Sequence, residues 1–160
     1  MWQEFANTLN ELNKTYKSLI EVGKKKHNAL VSVDMKTVER LLPEEEKLTA
    51  DIASLEKKRQ NILLKLAVTH DKLGPDSKMQ DIIGLIPAGK LREIIQKLYA
   101  MLQVTVQEAQ ELSEGNALLI RAAMNAAAFH LNRIGGAQVE PAYGKSGEVV
   151  SHRKNFEYKA

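Results

Sequence analysis

Four histidines, His27, His70, His130 and His152, are the residues of this 160-residue chain best suited to hold a metal or move a proton near neutral pH. A di-iron helical bundle places a Glu three residues before its ligand His so that both project from one helix face, and a zinc-protease helix needs His-Glu-x-x-His. Lys24, Ala67, Ala127 and Val149 stand three residues before the four histidines, so neither pattern is present. The chain has no cysteine, which removes disulfides, thiolate metal ligands and a thiol nucleophile and suits a reducing compartment. Gly144-Lys145-Ser146 has the ending of a phosphate-binding loop, but the glycine required five residues earlier is Val139. Glu44-Glu45-Glu46 and Lys24-Lys25-Lys26 read as charge compensation at a helix start and a helix end. The chemistry-bearing residues therefore point to no catalysis, no metal and no cofactor, and leave binding through apolar side chains as the remaining class of function.

The bulk charge narrows the partners. The formal net charge is +3 and the isoelectric point about 9.0, yet Lys/Arg alternate with Asp/Glu along most of the chain and no long basic block occurs, which argues against nucleic acid. The segment Met1-Trp2-Gln3-Glu4-Phe5 lacks the basic patch and apolar run of a secretory signal. No stretch approaches the roughly 18 apolar residues of a membrane span. A cytoplasmic protein without stable membrane insertion is expected.

The elements that position these residues are helices. Trp2, Phe5, Leu9, Leu12, Tyr16, Leu19 and Leu30 fall on one helical stripe broken at Gly23 and Lys26. Asp34 suits the N-cap of a short helix carrying Val38, Leu41 and Leu42, and Pro43 with Glu44–Glu46 suits the first turn of a new one. That helix has its stripe at Leu48, Ile52, Leu55, Ile62 and Leu66, with Arg59 in register, and stops before Gly74-Pro75. Asp76 is the expected cap of a short helix bearing Met79, Ile82, Ile83 and Ile86, ended by Pro87. From about Ala88 to Ile134 no proline intervenes, and the seam runs Leu91, Ile95, Leu98, Leu102, Thr105, Ala109, Leu112, Asn116, Leu119, Ala123, Ala126, His130. Gly135-Gly136 closes it. The fold class expected is all-α, an elongated antiparallel helical bundle with coiled-coil-like packing over residues 1–136, followed by a disordered, flexible tail over 137–160.

At about 1.5 Å per residue the last helix spans roughly 70 Å against about 40 Å for the first and third, so its distal end is expected to overhang. That end, from about Asn116 to Ile134, is also the most apolar part of the chain, and its only full charges are Arg121 and Arg133. A helix apolar around most of its circumference must be covered. The candidate binding residues are Asn116, Leu119, Ile120, Ala123, Met124, Ala127 and Leu131, where alanines admit a second helix closely and Leu119, Ile120, Met124, Phe129 and Leu131 supply buried area. Met124 adds adaptability. Asn116 reads as a register-fixing polar residue within the seam, and His130 as an interface histidine. A helix folded back on itself, a structural coiled-coil homodimer, or an adaptor protein without such a partner, remains the alternative.

These residues resemble the FlgN family of flagellar export chaperones. Glu21, Leu30, Lys47, Leu48, Leu55 and Arg59 fit the family's glutamate, leucine, lysine-leucine-arginine stagger, and Asn116 followed by Leu119-Ile120 fits its asparagine with two large apolar residues. Glu140-Pro141-Ala142-Tyr143-Gly144-Lys145-Ser146-Gly147 matches the Tyr-Gly-x-x-Gly past the long helix. A second family asparagine is Ser113 here. The resemblance implies a cytoplasmic type III secretion chaperone that holds the C-terminal helices of hook-associated, hook-filament junction proteins and prevents their early polymerisation. It further implies delivery to the flagellar export gate and ATPase-complex components, with Tyr143 and Gly144 as the docking residues. When free of cargo, such a chain could form a homodimer.

Overall fold

The computed structural model describes residues 1–71, 73–74 and 76–136, and the backbone at 142–143 and 149–150. Among the described residues the fold is carried by α1 (Trp2–Val31), α2 (Met35–Thr69), α3 (Met79–Leu85) and α4 (Lys90–Gly135), which makes the chain an all-α helical bundle, as its periodicity predicts. Two compact units divide it, Met1–Glu114 and Gly115–Ala160, and the boundary falls inside α4.

In the first unit, α1 turns into α2 through a tight connection that is satisfied group by group. The Val33 N–H donates to the Leu30 carbonyl at 3.2 Å and the Asp34 N–H to the Ala29 carbonyl at 2.8 Å, the paired bonds of a Schellman end. Val33 thereby occupies the left-handed position, φ 56°, where glycine is usual. Asp34 caps α2 as the sequence predicts, accepting from the Thr37 N–H at 3.2 Å and from the Thr37 hydroxyl at 2.6 Å. These bonds hold its carboxyl below the ordinary carboxylate range.

Two boundaries differ from the sequence reading. Pro43 starts no helix; it lies within the 35-residue α2. Val38 and Leu41 before it and Ile52, Ile62 and Leu66 after it are buried along the same helix, so packing over its whole length outweighs the one backbone bond that proline removes. Asp76 does not cap α3. The Gly74 N–H donates to Ser77 Oγ at 2.8 Å and the Ser77 N–H to the Gly74 carbonyl at 3.1 Å, so Gly74 and Ser77 bond to each other and the helix begins only after Ser77. Lys78 is the N-cap residue, and Asp81 Oδ2 accepts its N–H at 2.8 Å. Ile86 is extended, as the residue before Pro87 must be. Arg92 then reaches back from α4 to donate to the carbonyls of Gly84 and Ile86, satisfying the open end of α3.

The core joins Phe5, Leu9 and Leu12 of α1 to Ile62 and Leu66 of α2, to Ile83 and Ile86 at α3, and to Ile95 and Leu102 of α4. The proximal part of α4 runs parallel to α1. Asn13 Nδ2 donates to the Leu98 carbonyl at 2.9 Å, Lys24 faces Glu108 at 3.5 Å, and a side chain begun at Gly23 would meet Leu112 Cδ2 at 2.7 Å. Lys26, the other break in the α1 stripe, is buried and bonded to Glu45 of α2 at 3.0 Å. The two breaks are thus contact points: a glycine that admits a leucine, and a lysine that meets its counter-charge.

In the second unit α4 continues from Gly115 to Gly135, and Gly136 takes the left-handed conformation, φ 61°, of a helix-ending glycine. Two dipeptides, β1 (Ala142–Tyr143) and β2 (Val149–Val150), pair antiparallel with Tyr143 opposite Val149. The remainder of the tail expected to be flexible lies outside the described residues. No described helix is long and apolar enough to cross a membrane.

Candidate functional site

The distal half of α4 follows from composition. From Gly115 to Gly135 it contains no Asp or Glu and six alanines, a combination of high helix propensity and little charge. Forty-six residues make α4 about 69 Å long, compared with about 45 Å for the 30-residue α1.

The accessibility of this segment is not that of a core helix. Leu118, Phe129, Leu131 and Ile134 expose 63%, 61%, 57% and 85% of their surface. Ala117, Ala122, Ala123, Ala126 and Ala127 are exposed as well. Cover is concentrated at a spacing of four: Asn116 and Ala128 are buried, and Ile120, Met124 and Asn132 are half-buried, with Leu119 beside them. Spacing of four drifts about 40° per step around a helix, so the sheltered line winds across the segment and leaves the rest of its circumference open.

Of the seven residues picked from the sequence, Ala123, Ala127 and Leu131 are exposed, Leu119, Ile120 and Met124 are half-exposed, and Asn116 is buried. At about 100° per residue, Ala123, Ala127, Leu131 and Ile134 lie on one stripe that carries no formal charge. Asn116 and Asn132 already make interactions within the protein, as the burial of the Asn116 amide requires. The seam pattern did not single out Leu118 and Phe129. Their signal was the eleven-residue interval with Ala122 between, which places three apolar residues on a face distinct from the seam.

The other candidates are placed as follows. The His130 ring meets the edge of Phe129 at 5.8 Å, and His70 lies 6.2 Å from Trp2. His27 is half-buried and makes an interaction within the protein. Among the described residues no three His, Asp or Glu side chains converge as metal ligands would. The Tyr143 backbone belongs to β1, and Gly144 and His152 lie outside the described residues.

What the distal helix offers is an apolar, acid-free surface on a regular backbone, suited to packing against another helix. Compared with known proteins, the model describing the FlgN protein family matches residues 1–151. No curated protein and no solved structure matches the chain.

Proposed function

The chain belongs to the FlgN family of flagellar export chaperones, and from that premise we propose that its distal α4 binds the C-terminal amphipathic helices of hook-filament junction proteins in the cytoplasm. It keeps those helices from assembling early and delivers them to the export gate and its ATPase components, with no catalytic step. The observation that carries this reading is the exposure of Ala123, Ala127, Leu131 and Ile134 along one uncharged stripe. An apolar cargo helix laid on that stripe makes a helix-in-groove contact with anchors at helical spacing.

The energetics suit a carrier. Leu131 and Ile134, with the open parts of Leu119, Ile120 and Met124, each gain up to about 1.5–3 kcal/mol on burial. Loss of rotational freedom and ordering of the cargo offset much of that sum. The net is binding of roughly micromolar strength, firm enough to hold cargo and weak enough to release it. Asn116, buried and with an interaction inside the protein, sets the register of the site. The tail supplies docking to the gate through Tyr143 and the Gly144 that follows it.

The test is substitution within the stripe and at Leu119 beside it. Leu119→Asp and Ala123→Asp are expected to abolish binding of a hook-filament junction fragment in calorimetry, with far-ultraviolet circular dichroism unchanged. Retained binding in both variants would remove the site. Tyr143→Ala is expected to leave cargo affinity intact while weakening capture of the loaded chaperone by the gate. Equal loss of both would refute the division of roles.

A further inference from the structure

Leu118, Ala122 and Phe129 are exposed on α4 and share a second stripe. At about 100° per residue this stripe lies roughly 150° around the helix from Ala123, Ala127, Leu131 and Ile134. One straight helix cannot cover both, because the contact stripe between two packed helices spans about 100°. The two faces also differ in charge. The Ala123 stripe carries none, whereas Arg133, exposed, lies within about 40° of the mean direction of the Leu118–Phe129 stripe. No carboxylate occurs on the helix from Gly115 to Gly136 to balance that guanidinium.

We infer that the distal helix takes two cargo helices at once, an apolar one on the Ala123–Ile134 stripe and a second, carboxylate-bearing amphipathic helix on Leu118, Ala122 and Phe129, its acid paired with Arg133. This inference rests on the cargo-binding reading and specifies the second occupant of that site. The chaperone segment then becomes the middle helix of a three-helix bundle completed by cargo. Such an arrangement explains why a helix apolar on opposite sides is tolerated: each side is shielded only in the complex. Arg133 also sits in the last turn of α4, where a cation compensates the helix dipole. That role is indifferent to the identity of a partner residue, so charge reversal separates the two.

The experiment uses the full chain and two probes, a one-helix and a two-helix C-terminal fragment of a hook-filament junction protein, with affinities read by calorimetry. The two-helix probe is expected to bind at least tenfold more tightly. Phe129→Ser and Arg133→Glu are expected to remove that advantage without weakening the one-helix probe. Exchange of the probe's facing Glu for Lys is expected to restore most of the loss in Arg133→Glu. Equal affinity for the two probes, or Phe129→Ser without effect, overturns the second face while leaving the first. Failure of the charge exchange to restore binding overturns the pairing with Arg133. If neither probe binds the unaltered protein, both this inference and the cargo-binding reading fall.

Discussion

Among the described residues Val33 is the non-glycine residue with a left-handed backbone, φ 56°. A left-handed conformation costs an L-residue about 1–2 kcal/mol, and a β-branched side chain is poorly suited to it. Glycine at the same position loses about 0.5–1 kcal/mol through its greater freedom when unfolded. Val33→Gly is therefore expected to stabilise the fold by about 0.5–1 kcal/mol, seen as a melting temperature raised by roughly 2 °C. A lowered melting temperature would contradict the reading of this turn. Other residues yielded less to inspection of the sequence. Gly23 and Lys26 looked like defects in the α1 stripe, because their partners, Leu112 and Glu45, belong to other helices. Periodicity along one helix registers that a position departs from the pattern, but it cannot register a counter-charge or a leucine arriving from elsewhere. Asp34 was legible because its cap is completed by Thr37, three residues away.

At the scale of elements, local signals located ends well and continuity poorly. The starts and stops at Asp34, Pro87 and Gly135-Gly136 rest on capping and backbone restrictions that act within a turn of their residue. The unbroken α2 depends on packing along its length, which no local rule contains. Pro43 still removes one backbone donor in the helix interior, at a typical cost of about 3 kcal/mol relative to alanine. Pro43→Ala is accordingly expected to raise the stability to denaturant by about 1–3 kcal/mol without changing helical content, measured by urea unfolding. No gain would mean that α2 is distorted at Pro43 in a way that already relieves the loss. The short α3 shows the same limit. Its apolar residues were legible, while its start was displaced to Met79 by the bonds between Gly74 and Ser77.

For the whole molecule, the division of labour was written in composition. The first unit encloses Phe5, Leu9, Leu12, Leu66, Ile86 and Ile95 almost fully in an internal core, although it also exposes Leu64, Val68 and Val104. The distal helix leaves residues of the same kind in the open. The sequence made that segment conspicuous, but it could not tell which sides would be sheltered, since the sheltered line winds through Asn116, Ile120, Met124, Ala128 and Asn132 in place of the seam through Ala123, Ala126 and His130. Family membership, shown by the match over residues 1–151, implies binding of flagellar substrate proteins, and the distal helix is the site proposed for it. The most direct measurement is amide hydrogen exchange along the full chain with and without a C-terminal fragment of a hook-filament junction protein. Protection that rises between residues 116 and 134 and is unchanged in α1 and α2 is the predicted result. Protection that rises elsewhere while 116–134 exchanges as it does in the free protein would contradict the claim that this helix holds the cargo.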